Sequence, residues 1–252
     1  MSTELAQTSV TLVDSIPLLL SLLDKLTNLP TNPPSLYLDL EGVHLGRHGT
    51  LSILSLYLST TRHTYLIDIH TLGTPAFTTT NPNHSLKTLL ESPTHPKVLF
   101  DLRNDSAALF HHHQISLANP HDLQLMELAT RPPLHSKRYL AGLTKCIRHC
   151  PRISPAVKAD WQRSKEVGHR LFDPAQGGRY EVFNDRPLCD EIVQYCARDV
   201  TLLPELWREY TGKLGRSAVW RGKVREETEA RVRASQRGDF VGHSQAMALG
   251  PW

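Results

Sequence analysis

The stretch Ser35-Leu36-Tyr37-Leu38-Asp39-Leu40-Glu41 joins an apolar run of strand length to two carboxylates at its end. Side chains two positions apart on a strand leave the same face, so Asp39 and Glu41 can converge on one point. The leucines around them indicate a buried strand, where two unneutralised carboxylates cost on the order of several kcal/mol. A hard divalent cation with oxygen ligands would neutralise them. The same pair also fits a strand end that reaches solvent, so the metal interpretation needs support from the rest of the chain.

The segments that follow this strand predict a mixed sheet. Two more apolar runs of strand length, 51–58 and 64–69, come after short connections and predict an antiparallel meander. Helix and strand patterns then alternate, at 85–91 (helix), 97–100 (strand), 105–113 (helix) and 121–128 (strand or helix start). The remaining patterned segments are helical and comprise an amphipathic helix from Ile16, then 138–149, 156–165 and 188–210. This order predicts an α/β fold of the RNase H-like type, with a mixed five-stranded sheet flanked by helices.

Composition favours an ordinary globular protein of the cell interior. The chain has 252 residues, of which 40% are hydrophobic and 21% charged, enough for one substantial core. The apolar run 16–23 is shorter than the roughly 20 residues of a membrane span, and no secretory signal precedes it. We therefore expect no membrane partner and a location in the cytoplasm or nucleus. The four cysteines lack the spacing of paired zinc knuckles and are expected to be reduced thiols.

Charge divides the chain into two predicted parts. Residues 1–210 are nearly neutral, whereas residues 211–252 contain eight Lys and Arg against four acidic residues. We therefore predict one domain at 1–210 and a basic C-terminal helical tail at 211–252. Glu and Arg alternate in the tail, which is typical of a solvated helix with i,i+4 ion pairs, but a basic helix can also contact nucleic acid. Both interpretations stay open at this point.

Further polar residues occur where they can join the first carboxylate pair. Asp105 follows the apolar strand 97–100 and begins a helical segment, where it can act as a helix cap or as a ligand at a strand-to-helix turn. Tyr195 and Asp199 are four residues apart in a helical segment, so their side chains share one face. They can be an ordinary hydrogen-bonded pair or two members of a site.

The order and spacing of these residues resemble the DEDDy pattern of RNase D-like 3′-5′ exonucleases. The pattern consists of Asp-x-Glu on the first strand, an Asp after a later strand and Tyr-x3-Asp on a late helix, and the resemblance spans about residues 12–210. The segments 171–174 and 177–180 resemble fungal exonuclease-domain proteins and relatives of the Egalitarian type. Leu40 stands where many members carry Thr.

The resemblance implies a specific chemistry. Asp39, Glu41, Asp105 and Asp199 would hold two Mg²⁺ or Mn²⁺ ions about 4 Å apart, one activating water and the other stabilising the leaving 3′-oxygen. Tyr195 would orient the attacking water. The products would be nucleoside 5′-monophosphates, released from a single-stranded or frayed 3′ end of RNA or DNA. Two alternatives are a nuclease-fold binding or adaptor module without turnover, and an RNase H-like endonuclease.

Several residues beside the motifs are candidates for nucleic-acid contact. The apolar or aromatic ones that can wedge or stack against a base are Leu40, Val43, His44 and Tyr180. The basic ones that can bind phosphate are Arg47, His48, Arg103 and Arg198. A core or loop position is the better explanation for the first four, and ordinary solvated charge is the alternative for the basic four. The run His111-His112-His113 does not predict a metal site, because consecutive helical side chains diverge by about 100°. The oligomeric state is not predicted.

Overall fold

The computed structural model describes residues 9–82, 84–215 and 217–252, whose strands form one six-stranded sheet in the order β1-β4-β3-β2-β5-β6. The strands are β1 (Ser9–Val13), β2 (Leu36–Glu41), β3 (Ile53–Leu58), β4 (His63–Asp68), β5 (Lys97–Leu99) and β6 (Pro120–Asp122). Strands β2, β3 and β4 form the predicted antiparallel meander, and β5 and β6 extend the sheet in parallel from β2. The α/β class and the RNase H-like order of elements are confirmed.

The predicted number of strands was wrong, because the edge strand β1 makes six. Ser9–Val13 pairs in parallel with β4, from Ser9 opposite His63 to Val13 opposite Ile67. Of its five residues only Val13 is buried, so the segment lacks the apolar run that marks the central strands. Its pairing partner lies some fifty residues away in the sequence, and a local pattern does not reveal such a partner.

Helices cover both sides of the sheet. Those before β6 are α1 (Ile16–Lys25), α2 (Ile69–Leu72), α3 (Pro75–Thr78), α4 (Leu86–Leu90) and α5 (Arg103–His113). Those after β6 are α6 (Leu123–Thr130), α7 (Leu143–His149), α8 (Pro155–Phe172), α9 (Asp190–Thr201), α10 (Leu203–Leu214) and α11 (Ala218–Ser235). Short 3₁₀ turns occur at Pro174–Gln176, Tyr180–Phe183 and Gln245–Ala248.

Three helix boundaries differ from the sequence pattern. The predicted helix 188–210 is divided at Leu202, because Pro204 lacks an N–H and starts a new helix in the first turn of α10. The predicted helix 138–149 begins only at Leu143, since 138–140 instead pairs with the C-terminal segment, residues 236–252 after α11. The Leu140 N–H donates to Ala248 O at 2.9 Å. Helix α8 continues past the predicted end at residue 165 to Phe172.

Strand β2 lies in the middle of the molecule and is buried on both faces. Leu36, Leu38 and Leu40 belong to the core cluster that includes α1 and α5, whereas Tyr37 belongs to the cluster on the opposite face with α6, α8 and α10. Asp39 lies two residues after Tyr37 and therefore on the same face of the strand. The alternation of the strand therefore turns its carboxylates away from the leucine cluster, toward the side where α9 packs against β2, β3 and β4.

The basic C-terminal region contains a helix that packs on the domain. Helix α11 contacts α5, α6 and β6. Arg231 on α11 is 5% exposed, and its guanidinium donates to Asp122 at 2.7 Å and to Gln124 Oε1 at 3.0 Å. Asp122 is fully buried at the end of β6. The guanidinium of Arg231 is therefore an internal counter-ion that ties α11 to the edge of the sheet.

The remaining expectations from composition concern thiols and membranes. Cys146, Cys150 and Cys196 are buried, Cys189 is exposed, and all four are free thiols. Within the described ranges no cysteine belongs to a group with metal-ligand geometry. None of the helices in those ranges is long and apolar enough to cross a membrane.

Candidate active site

Three carboxylates from two elements meet beside the central strand. Asp39 and Glu41 lie at the end of β2, and Asp199 lies in the third turn of α9. One oxygen of each carboxylate lies within 4.8 Å of the others. The strand period of two and the packing of α9 across the sheet together create this arrangement, which neither motif creates alone.

Tyr195 lies one turn before Asp199, on the same face of α9, and is 5% exposed. Its ring fills the space above Gly168 of α8, where an added Cβ would lie 2.3 Å from Tyr195 Cδ2 and 2.6 Å from Cγ. Phe172 and Phe183 contact the ring, with centroids at 5.1 and 6.4 Å. The absent side chain of Gly168 thus lets α8 and α9 approach, and the aromatic contacts fix the direction of the phenol.

Asp105 lies beside the three clustered carboxylates but outside their tight group. It occupies the first turn of α5 and is 5% exposed. Burial raises the pKa of Asp105 well above its usual value, and the charges of Asp39 and Glu41 raise it further. The charges of these two acids therefore act on Asp105, although its oxygens are not among those that lie within 4.8 Å of one another.

The cluster is electrostatically strained without cations. Burial, followed by the charge of Asp199, raises the pKa of Asp39 to about 7. Burial and the charge of Asp39 likewise raise the pKa of Glu41 well above its usual value. Like charges this close in a desolvated place oppose ionisation. Positive charge must enter the site before all the carboxylates can ionise together at neutral pH.

A lysine that the sequence patterns did not single out supplies one such charge. Lys165 of α8 forms an ion pair with Asp199, and its Nζ donates to Tyr195 Oη at 2.8 Å. The side chain is 14% exposed. Burial lowers the pKa of Lys165, but the charges of Asp199 and Glu41 outweigh burial, so the pKa is raised. Nothing local marks Lys165 in the sequence, except that it follows the buried Trp161 by one helical turn.

The residues of the cluster fit a hard divalent cation. Every clustered donor is a carboxylate oxygen, the ligand that Mg²⁺ and Mn²⁺ prefer. Asp199 Oδ1 is buried and has no hydrogen-bond partner among the described residues. A buried acceptor without a partner costs about 1–3 kcal/mol, and coordination of a cation would remove that cost.

Comparison with known proteins agrees with this geometry. The sequence profile of the 3′-5′ exonuclease family matches residues 11–214. The chain belongs to this family. It is a 3′-5′ exonuclease, and the family is metal-dependent. No curated protein gives a significant sequence match.

Solved structures share the fold of this exonuclease at low sequence identity. RNase D from Trypanosoma brucei in complex with RNA U12 has a TM-score of 0.73 at 20% identity, over 95% of this chain and 74% of that one. Escherichia coli RNase D has a TM-score of 0.64 at 17% identity, over 91% and 51% of the two chains. NrnC from Brucella melitensis bound to pGG has a TM-score of 0.57 at 15% identity, over 95% and 100%.

A cavity of about 370 Å³ opens next to the acid cluster of the exonuclease and shares Glu41 with it. Aromatic side chains form much of its wall, and His44 contacts Tyr180 with ring centroids 4.7 Å apart. The residues that line the cavity are Glu41, Gly42, His44, Leu45, Asn104, Phe172, Tyr180, Phe183 and His243. Strand β2, the 3₁₀ segment after α8 and the C-terminal segment thus build one small chamber at the acids.

The C-terminal segment runs along one side of this chamber. Arg103 holds it, because its guanidinium donates to Met247 O at 3.0 Å. Gly242 approaches Asn104 so closely that an added Cβ would lie 1.9 Å from Asn104 Oδ1. The C-terminal segment lies beyond the part of the exonuclease that the family profile matches, and it still contributes His243 to the wall.

The apolar and aromatic residues proposed for base contact differ in their exposure. Leu40 is 2% exposed and belongs to the leucine cluster of the core, so it is not available to contact a base and that prediction is corrected. The cause is the alternation of β2, which turns Leu40 away from Asp39 and Glu41. His44 is exposed and lines the chamber with Tyr180, whereas Val43 is half-buried beside them.

The basic residues proposed for phosphate contact are largely engaged elsewhere. Arg103 is 9% exposed and pairs with Asp101 through two hydrogen bonds of 2.5 and 2.6 Å. Arg198 forms an ion pair with Asp160. Arg47 is half-buried next to the C-terminal segment, with its guanidinium close to Gly238. Arg103 therefore holds the C-terminal segment in place and is not free to bind phosphate.

The three consecutive histidines diverge, as expected for a helix. His112 Nε2 lies 2.8 Å from Gly46 O, and His113 contacts Phe77 with centroids 4.4 Å apart. Within the described ranges they do not form a group with metal-ligand geometry. His112 and His113 pack α5 against neighbouring segments.

Proposed function

We propose that this exonuclease uses two Mg²⁺ or Mn²⁺ ions to hydrolyse RNA or DNA from a single-stranded or frayed 3′ end, releasing nucleoside 5′-monophosphates. The observation that supports this most strongly is the convergence of Asp39, Glu41 and Asp199 within 4.8 Å, with Asp105 adjacent. Such a concentration of negative charge, with Asp199 buried and Asp39 and Glu41 half-buried, is costly without cations.

Asp39, Glu41 and Asp199 would hold the ions, with Asp105 completing the set. When bound, the ions make water a stronger nucleophile and stabilise the negative charge on the leaving oxygen. The protein's own part is to hold four acids in a preorganised, partly desolvated place, so that little reorganisation is needed during the reaction. The buried, unpartnered Asp199 Oδ1 supports this assignment.

Tyr195 is proposed to position the attacking water. Its phenol lies between Lys165, which donates to it at 2.8 Å, and Glu41, with which it shares a hydrogen bond. Burial and the charge of Glu41 raise the pKa of Tyr195 well above its usual value, so the hydroxyl keeps its proton. A protonated phenol held between these two partners is suited to orienting a water rather than to removing its proton.

The chamber supports removal of single nucleotides. Its volume of about 370 Å³ is of the order of one nucleotide, and Glu41 belongs both to its wall and to the acid cluster. A terminal nucleoside seated there would place its 5′-phosphate at the acids. The His44 and Tyr180 rings offer a stacking surface that does not select a particular base. Similar structures hold RNA U12 in Trypanosoma brucei RNase D and pGG in Brucella melitensis NrnC.

The experiment compares 5′-labelled and 3′-labelled single strands of RNA and DNA, with Mn²⁺, with Mg²⁺ and with chelator. We expect the 3′ label to leave as a mononucleotide at once, while the 5′-labelled strand shortens one nucleotide at a time, and only with metal. Cleavage of a circular strand would favour the endonuclease. Binding of the strand without release of nucleotides would favour the adaptor module.

The role of Tyr195 has a separate test. Tyr195→Phe removes the hydroxyl that Lys165 and Glu41 contact and keeps the ring that packs against Phe172. We expect a lower kcat, an unchanged melting temperature and little change in KM. Tyr139→Phe, at a residue 55% exposed, is the matched control. An unchanged kcat for Tyr195→Phe would contradict the water-positioning role.

A further inference from the structure

Lys165 occupies one end of the acid cluster. Its ammonium pairs with Asp199 Oδ2 and donates to Tyr195 Oη at 2.8 Å. The same ammonium lies 4.2 Å from the centroid of the Tyr195 ring and 5.9 Å from that of Trp161. Lys165 therefore contacts both residues of the Tyr-x3-Asp motif, and its flexible stem ends inside the site.

The charge of Lys165 reaches the whole cluster. It lowers the pKa of Asp39 and of Glu41 against the larger effect of their burial. One ammonium faces three clustered carboxylates and the adjacent Asp105, so it balances only part of their charge. Asp199 is the acid whose second oxygen stays unpartnered, which means that the ion pair satisfies only one of its two oxygens.

We propose that Lys165 is a built-in counter-ion that holds Asp199 through Oδ2 in the metal-free protein and opposes a divalent cation that coordinates the same carboxylate. This inference rests on the proposed metal-dependent hydrolysis. A dication and the ammonium compete for the same carboxylate, and they repel each other once both are in the site. Lys165 therefore sets the concentration of metal at which the enzyme becomes loaded.

When a cation also takes Asp199 Oδ2, the ammonium still has a place in the site. The Tyr195 ring attracts a cation at its face, and the Tyr195 hydroxyl oxygen accepts a hydrogen bond from the ammonium. A phosphodiester brings one negative charge to this region, and a lysine ammonium is suited to contacting it as a point charge. Lys165 thus gains a second role, as a contact to the substrate phosphate.

These two roles predict effects of opposite sign. Lys165→Met keeps the length of the side chain and removes its charge. Metal should bind more tightly, by at least about tenfold, because the competing ion pair is gone. The KM for an oligonucleotide should rise, because a phosphate contact is lost. If the role of Lys165 were purely structural, its replacement would weaken both metal binding and oligonucleotide binding, through loss of folded protein.

The test is a titration of the full chain with Mn²⁺ in the absence of nucleic acid. The electron paramagnetic resonance signal of the free ion measures binding. Lys165→Arg keeps the charge and should bind Mn²⁺ about as wild type does. Arg163→Met removes a charge from the same helix at a residue whose side chain is 69% exposed, and it should leave the affinity unchanged. Melting temperatures in chelator and in Mn²⁺ show whether each variant is folded.

The outcomes distinguish the counter-ion role of Lys165 from the proposed metal-dependent hydrolysis. Tighter Mn²⁺ binding by Lys165→Met alone, with a larger rise of its melting temperature on adding Mn²⁺, is the expected result. Unchanged or weaker binding by a folded Lys165→Met would overturn the counter-ion role and leave the proposed function intact. Absence of Mn²⁺ binding by the wild-type protein would overturn the proposed function, and the role of Lys165 with it.

Discussion

Replacement of Arg231 by Met should destabilise the protein severely, although this residue lies in the basic region near the C-terminus. The Arg231 side chain is 5% exposed and its partner Asp122 is fully buried, with 2.7 Å between them. The guanidinium also contacts Gln124 and Asp101, at 3.0 and 3.4 Å. Loss of one partner of a buried ion pair costs about 3–5 kcal/mol, because the other charge stays behind without solvent.

Urea unfolding at neutral pH measures this cost as a lower midpoint at an unchanged slope. The same loss corresponds to a fall of roughly 10 °C in melting temperature for a chain of this size. Arg233→Met is the matched control on the same helix, since its side chain is 68% exposed and its pair with Glu229 spans 3.9 Å. It should change the free energy of unfolding by less than about 1 kcal/mol. Equal effects of the two substitutions would refute the buried counter-ion assigned to Arg231.

Two further predictions concern buried groups outside that ion pair. Lys97 is fully buried, and burial lowers its pKa to about 7, so between pH 7 and about 10 an unfolded chain binds a proton that the folded one lacks. The free energy of unfolding of the wild type should therefore rise with pH, relative to that of Lys97→Met, by up to about 1.4 kcal/mol per pH unit. A difference in urea midpoints that does not change with pH would contradict this. Gly168→Ala should cost about 1–3 kcal/mol and lower kcat, since the new methyl meets Tyr195 at 2.3 Å, whereas Gly222→Ala, with open space around it, should be neutral or stabilising. Equal melting temperatures and rates for the two alanine variants would argue against tight packing of α8 on Tyr195.

The parts of the fold and site that local patterns predict are those with a short sequence period. Asp39 and Glu41 share a face because a strand alternates, and Tyr195 and Asp199 share a face because a helix turns every 3.6 residues. The meander was predictable because its three strands follow one another in the sequence with no helix between them. That these pieces meet within 4.8 Å required the packing of α9 across the sheet.

The parts that escaped prediction depend on partners far apart in the sequence. Strand β1 is recognisable only beside β4, and 138–140 is extended only because the C-terminal segment pairs with it. Lys165 and Asp199 are 34 residues apart, and Arg231 and Asp122 are 109 apart. Both cations occur in helices where a basic residue normally faces solvent. Burial of their charge follows from tertiary packing, which composition does not encode.

Asp39→Asn, assayed for release of nucleoside 5′-monophosphates with Mn²⁺ or Mg²⁺, tests metal-dependent catalysis by the acid cluster most directly. The substitution removes one charge from the cluster and keeps the shape of the side chain. We expect the rate to fall by more than about 100-fold, which is about 2.7 kcal/mol, with the melting temperature in chelator held or raised because repulsion is relieved. The exposed Asp14→Asn, as a control, should keep the wild-type rate. A folded Asp39→Asn that releases nucleotides at the wild-type rate, or release that persists in chelator, would contradict the assignment.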